Sequence, residues 1–191
     1  MAEEMIEIRW HGRGGQGAKT AAQLVAHVAL QEGKHSQGFP EYGPERMGAP
    51  IRGFTRISQD RIRVHCPIEK PDVVVVLDET LVAEPAVTEA ADEDTVFVIN
   101  SALEPAAMRR KLGVAGAKVF CIDATKVSID ELGRPIPNTP MIGALIKATG
   151  CISLAAIKKD VEKKFLKKFG ERVVQGNIRA IERAYEEVQS E

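Results

Sequence analysis

The sequence predicts an α/β fold: a three-layer α/β/α sandwich on a mixed, mostly parallel sheet, with a β-hairpin and a helical C-terminal tail. Three observations predict it. The chain opens with a short alternating strand at 5–10, a glycine turn at 12–17 and an apolar helix at 18–30. From Asp72 onward, β-branched runs alternate with helical segments, as in a parallel sheet covered on both faces. After Gly150 the pattern becomes helical only.

Taken in order, the first helix ends at Gly33, and residues 34–50 break every period with Gly38, Pro40, Gly43, Pro44, Gly48 and Pro50. That stretch reads as a long loop, and long loops in small domains carry function more often than not. Residues 51–57 and 61–66 alternate as two strands around Ser58-Gln59-Asp60, an antiparallel hairpin. Residues 72–77 form a buried strand, with Asp78 placed to cap a helix at 79–87. A strand at 95–100, a helix at 104–112 and a strand at 118–122 follow. Asn138 reads as the N-cap of a helix to 148, with Thr139 and Pro140 in its first turn. Ser153 caps a Lys-rich helix to 169, and a last helix runs to 188 with Val174, Ile178, Ile181, Tyr185 and Val188 on one face. Without a linker or repeat, residues 1–191 read as a single domain.

Composition narrows the function classes. Apolar residues make 44% and charged residues 28%, the balance of an ordinary globular protein, and a net charge of −1 gives no field to attract nucleic acid or an anionic membrane. Plentiful Glu and Lys with scarce Asn lean toward a thermophilic source. There is no leader-like start and no apolar run of the ~20 residues that a membrane span needs, so a cytoplasmic location is expected. Cys66, Cys121 and Cys151 lie far apart in apolar surroundings and form no C-x-x-C pair. They read as reduced, buried thiols, because an iron–sulfur cluster needs about four thiolates at short spacings. No metal site is expected in this chain.

The glycine turn carries the sharpest signal. Gly12-Arg13-Gly14-Gly15-Gln16-Gly17 satisfies G-x-G-x-x-G between a strand and a helix, where backbone amides and the helix dipole favour an anion. A dinucleotide site also wants an acidic residue at the end of the second strand, about twenty residues on. The candidate, Glu41, falls in the Gly/Pro loop, and a hairpin stands where the next βαβ step should be. A P-loop fails on register, since Ala18-Lys19-Thr20 does not end the turn as G-K-[ST]. The plain alternative is a set of glycines that lets a helix pack closely on a strand.

Other polar residues sort less sharply. Arg46 and Arg52, set among glycines, suit binding of phosphate or carboxylate, whereas Arg56, Arg61 and Arg63 read as a solvated hairpin face. His11 has no identifiable partner and reads as structural. Asp72, Asp78 and Asp123 sit at strand ends as caps or crevice residues. The face of Lys158, Lys159, Lys163, Lys164, Lys167 and Lys168, balanced by Asp160 and Glu162, reads as solvated or as a subunit contact. No self-contained catalytic set is visible.

Three motifs then coincide in order: the turn Gly12 to Gly17 on its strand, the loop Tyr42-Gly43-Pro44-Glu45 with Arg52 beyond it, and Asn138-Thr139-Pro140-Met141-Ile142-Gly143-Ala144. Together they resemble the gamma subunit of 2-oxoacid:ferredoxin oxidoreductases, over nearly the whole chain. One departure is Met47-Gly48-Ala49, where many members carry Gly-Gly. The resemblance implies one part of a larger enzyme. That enzyme decarboxylates a 2-oxoacid on thiamine diphosphate with Mg2+, passes electrons through [4Fe-4S] clusters to ferredoxin, and forms an acyl-coenzyme A. The cofactors would sit on alpha, beta and delta subunits, and the isolated chain would be inactive. Gly12, Arg13, Gly14, Gly15, Gln16, Gly17, Tyr42, Glu45, Arg46, Arg52 and Asn138 would shield the shared active site and help to receive coenzyme A. Pyruvate is the expected substrate, with 2-oxoisovalerate, 2-oxoglutarate or indolepyruvate as alternatives. From a different class, a free-standing nucleotide-binding Rossmann-like enzyme stays open.

Overall fold

Alternation along the first strand decides how the sheet is covered. In β1 (Ile6–Arg13), Ile8 and Trp10 point to one face and are fully buried, while Arg9 and His11 point to the other and are also buried. The first face receives α1 (Ala18–Gln31), whose Ala18, Ala21, Ala22, Val25, Val28 and Ala29 have no exposure. These small side chains bring the helix close to the sheet. The computed structural model describes residues 5–41 and 47–191 of the chain.

Among the described residues the strands form one seven-stranded sheet, in the order β2-β3-β1-β4-β5-β6-β7. β4 (Val73–Val76), β5 (Val96–Asn100) and β6 (Lys118–Ile122) continue from β1 in parallel. β3 (Pro50–Ser58) pairs antiparallel with β1, β2 (His35–Pro40) antiparallel with β3, and β7 (Gln189–Ser190) antiparallel with β6. The mixed α/β sandwich anticipated from the sequence is therefore the observed class.

Two cores flank the sheet. Val74, Val76, Phe97, Ile99, Val119 and Cys121 pack against a 3-10 turn (Glu79–Ala83), α2 (Pro85–Thr88) and α3 (Pro105–Leu112). On the other face, Val73, Val75, Leu77 and Val98 meet α1, α4 (Ala124–Leu132) and α5 (Asn138–Thr149), with α6 (Leu154–Phe169) and α7 (Glu171–Glu187) joining that core. In α5, Met141, Ile142 and Leu145 are fully buried, each contributing about 1.5–3 kcal/mol. α5 is thus covered by the sheet and by α7, and the last helix is part of the core rather than a loose tail. Gly143 permits this: a Cβ there would lie 2.2 Å from the backbone oxygen of Ile181 in α7.

Several expectations need correction. The partner of β3 in the hairpin is β2, and residues 61–66 are not a strand. Both edges of β3 are already taken, by β1 and β2, so the alternation of Arg61 to Cys66 finds no partner. Residues 34–50 accordingly hold an edge strand, and edge position is where Pro40 costs no ladder bond. Gly38 serves α1 instead of a turn, since a Cβ would fall 2.9 Å from Ala22 O and from Gln23 Cα. Pro85 divides the expected 79–87 helix into the 3-10 turn and α2. Helix α4, capped by Asp123 through a 2.9 Å bond from Lys126 N, and strand β7 had no expectation. Asn138 is not an N-cap: it is the first residue of α5, and its Oδ1 accepts from the adjacent Thr139 N. The N-cap position belongs to Pro137.

Gly143→Ala is expected to lower unfolding free energy in urea by more than about 2 kcal/mol, because backbone on α7 cannot yield as a side chain would. Gly133→Ala, with nothing within 4 Å and only a positive φ of 68°, serves as the control and should cost about 1 kcal/mol.

Candidate functional site

After β1 the chain crosses through α1 to strands on one side of β1, whereas β4 leads to β5 and β6 on the other. Such a switch point opens a crevice beyond the carboxyl ends of the parallel strands, the place where α/β sheets bind ligands. Gln16 from the glycine turn, Asp78 and Glu79 after β4, Asn100 and Ser101 at the end of β5, and Asp123 and Thr125 after β6 line a cavity of about 220 Å³ there.

The turn itself is shorter and better filled than its motif suggests. Gly12 and Arg13 still belong to β1, opposite Ile51 and Pro50 of β3. Beyond them Gly15 and Gly17 take positive φ of 99° and 84°, which a side chain rarely tolerates. Gln16 folds back over the turn: its Oε1 accepts from Arg13 N at 2.7 Å, and its Nε2 donates to Asp78 Oδ2 at 2.7 Å. Asp78 Oδ1 accepts from Thr80 N at 3.0 Å and Thr80 Oγ1 at 2.6 Å. The Arg13 guanidinium donates to Thr80 Oγ1 at 2.7 Å and Gly48 O at 3.2 Å, and its Nε lies 3.4 Å from Asp78 Oδ2. Gly14 and the 47–49 segment exchange backbone bonds, Gly14 N to Ala49 O and Gly48 N to Gly14 O. Burial raises the Asp78 carboxyl, but bonds from Thr80 and Gln16 and the Arg13 charge outweigh it and hold the group below the usual carboxylate range.

The expected site residues divide accordingly. Gly12 to Gly17 and Asn138 do come together: the Asn138 side chain lies against Gly17, where a Cβ would fall 2.5 Å from Asn138 Nδ2. Arg52 does not join them. It sits in β3 opposite His11, donates from Nε and Nη2 to both carboxylate oxygens of Glu41, and lies 3.7 Å from Glu89. Tyr42, Glu45 and Arg46 lie outside the described residues. Asp78, read from the sequence as a cap or crevice residue, is both, whereas Thr80 and Asn100 were missed. Asn100 donates to Leu77 O and Thr125 Oγ1, both at 2.8 Å. Its position at the end of a β-branched run was the one available signal.

Glu41 explains why the dinucleotide pattern is incomplete. It does follow a strand, contrary to expectation, because β2 ends at Pro40. β3, however, stands between β2 and β1, so β2 lies two inter-strand spacings, about 10 Å, from the glycine turn. With Arg52 bound, Glu41 is not offered to a ribose.

The sheet face below Arg52 holds buried charge. Arg9, 1% exposed, donates to His11 Nε2 at 3.1 Å and to the carbonyls of Glu69, Val87 and Glu89. Arg56, also 1% exposed, donates to Glu7 Oε1 at 2.6 Å and stands over the Phe39 ring. The solvated-face reading of Arg56 is therefore overturned, because its strand register turns it onto covered sheet; Arg61 and Arg63 are exposed. Asp160 likewise leaves the solvated Lys-rich face: it is buried, with Gln31 donating to Oδ1 at 3.0 Å. Burial first, and then the charges of Arg9 and Arg52, push His11 down to about 3, so it is neutral near pH 7. Cys121 and Cys151 are buried as expected, but Cys66 is exposed because the 61–66 segment is not in the sheet. Among the described residues no group of three or more His, Cys, Asp or Glu comes together to hold a metal, and no helix is long and apolar enough to cross a membrane.

Comparison with known proteins gives this geometry its family. Residues 7–187 match the model of the pyruvate ferredoxin/flavodoxin oxidoreductase family. The chain is 50% identical to pyruvate synthase subunit PorC of Thermotoga maritima, over 98% of this chain and 97% of the relative. It is 42% identical to the pyruvate/ketoisovalerate oxidoreductases common subunit gamma of Pyrococcus abyssi, over 97% and 98%. The crystal structure of the Thermotoga maritima subunit superposes with a TM-score of 0.87 at 46% identity, covering 98% of this chain and 99% of that one. The chain belongs to the pyruvate ferredoxin/flavodoxin oxidoreductase family. Within it, the chain is of the gamma-subunit type.

Two outcomes are expected for the site residues. Between pH 6.5 and about 3 the unfolded chain protonates His11 while the native chain does not, so stability is lost as pH falls through that window. His11→Gln should flatten that acid slope by about 1.4 kcal/mol per pH unit in denaturant titrations. Gln16→Ala strands Arg13 N, leaves Asp78 Oδ2 with only the longer Arg13 contact, and should cost about 1–3 kcal/mol in the same assay.

Proposed function

We propose that this chain is the gamma subunit of a pyruvate:ferredoxin oxidoreductase, which turns pyruvate, coenzyme A and oxidised ferredoxin into acetyl-coenzyme A, CO2 and reduced ferredoxin. In this reading it covers an active site held by partner chains and helps to seat coenzyme A. The observation that carries the reading is the glycine turn, with Gln16 in the crevice of the sheet and Arg13 against Asp78 at its edge, in a chain that matches gamma-type relatives over nearly its whole length. Among the described residues the amides of Gly15 and Gly17 have no protein partner, and Gly17 is the N-cap of α1. A phosphate of coenzyme A suits those donors, and the Arg13 side chain, about a third exposed, adds a forked positive group. Asn138 fixes the helix end beside them.

Thiamine diphosphate, Mg2+ and the [4Fe-4S] clusters belong to the alpha, beta and delta partners in this reading. The donors of this chain do not fit them: Cys121 and Cys151 are buried in separate cores, and burial, with the nearby Glu79, Glu104 and Glu191, pushes the Cys121 thiol up to about 12. Residues 1–191 act as one unit in the cytoplasm, with ferredoxin reached through the complex and no role for nucleic acid or membrane. The Pyrococcus abyssi relative is common to pyruvate and ketoisovalerate enzymes, which favours a second reading in which this chain also serves a branched 2-oxoacid.

The reading is tested on the assembled complex. Arg13→Ala should raise the KM for coenzyme A by at least about tenfold, the equivalent of one lost charged hydrogen bond, while the KM for pyruvate stays put. An unchanged KM for coenzyme A would remove the seating role, and activity of the isolated chain with all substrates would remove the subunit reading.

A further inference from the structure

The described residues enclose a second, larger depression, of about 1240 Å³, which shares no lining residue with the crevice and reaches Asn138 and the outer face of α1 at its near end. It lies where the end of α4 and the segment after it face α6 and the start of α7. Its apolar wall is Ile129, Ile136, Phe165, Phe169 and Val173, with the two phenylalanine rings packed edge to face at 5.6 Å. Ile129 is 50% exposed and Phe169 58%, a concentration of open apolar surface that a chain working alone has no reason to keep.

Its charges are one-sided once internal pairs are removed. Glu131 accepts from Arg179 at 2.7 Å and from Arg183 at 3.0 Å, and Arg183 also reaches Asp130 at 3.3 Å. Asp160, beneath the groove, has Lys164 3.0 Å from Oδ2 and His27 3.3 Å from Oδ1. Arg134, Lys163 and Arg172 on the rim have no acidic partner among the described residues. The groove therefore combines an apolar floor with three uncommitted cations.

Its volume exceeds the ~300–1,000 Å³ of ordinary small-molecule clefts, which favours a polypeptide occupant. A second copy of this chain would bring the same three cations face to face across a twofold contact, at an electrostatic cost. We infer that the groove between α4, α6 and α7 receives an acidic amphipathic helix from another subunit of the same enzyme. Apolar side chains at i, i+3 or i+4 and i+7 would fill the floor, and carboxylates would meet Arg134, Lys163 and Arg172. This rests on the reading of the chain as one subunit of a larger oxidoreductase.

The test uses the assembled complex with Val173→p-benzoylphenylalanine as a photo-cross-linker. The expected product joins this chain to a partner subunit at a segment where Asp or Glu flank helically spaced apolar residues. In parallel, the combined R134E, K163E and R172E variant should be retained in the complex at least tenfold less than wild type in moderate salt. K159E, on α6 outside the groove, should be retained fully. Thermal unfolding of the isolated variants checks that they fold; if the triple variant does not, the cross-link alone decides. A cross-link only between two copies of this chain, no cross-link in an intact complex, or full retention of a folded triple variant would overturn the inference. Failure of the wild-type chain to enter any complex would instead overturn the subunit reading on which it rests.

Discussion

The close approach of α1 to the strands beneath it governs the arrangement of this molecule. Ala22 O and Gln23 Cα occupy the space that a side chain at Gly38 would need, so β2 can lie under the helix only because that position is bare. On β3, Thr55 accepts from Trp10 Nε1 at 3.0 Å and donates to Ala22 O at 2.9 Å, tying strand, strand and helix through one hydroxyl. With α1 seated this way, β3 fits between β1 and β2. That insertion sets the distance from the glycine turn to Glu41 and turns Glu41 toward Arg52. A binding pattern that reads as a dinucleotide site in one dimension is thereby taken apart in three.

The same insertion creates a sheet face crowded with arginine. Arg9, Arg52 and Arg56 fall on one side of β1 and β3, and two of them are almost fully covered. Buried cations are tolerated only when their donors are satisfied. Arg9 spends its donors on three backbone carbonyls and a neutral histidine; Arg56 uses Glu7 and an aromatic ring. His11 thus acts as an acceptor that helps to bury Arg9, and its lowered proton affinity follows from that placement.

At the carboxyl ends of the strands, the polar residues are organised around Asp78. It gathers Gln16, Thr80 and Arg13, and through Arg13 and Gly14 it connects the glycine turn to the segment at 47–49. Three loops from distant parts of the chain are held in one arrangement by a few charge-assisted bonds. A surface of this kind is suited to present backbone donors to an anion.

How much of this was legible in advance differs from element to element. The continuous valines of β4, Gly150 at the end of α5, and the amphipathic stripe of α7 are local features, so periodicity and capping chemistry suffice for them. The turn Gly12 to Gly17, the loop Tyr42 to Glu45 with Arg52 beyond it and the run Asn138 to Ala144, taken in that order, were enough for the family. β2 was not legible, because His35 to Pro40 has little intrinsic strand preference and exists as a strand only by pairing with β3. Residues 61–66 had the preference and no free edge. The candidate site shows the same split: its glycine turn was visible, while Thr80 and Asn100 enter it from separate strand ends. The α/β class and the glycine turn could be read from the chain, since each rests on neighbours in sequence, and the family from the order of three short motifs. Tertiary structure alone decided which strand lies beside β1, which carboxylate each arginine meets and where the open groove lies, because those depend on residues brought together by packing.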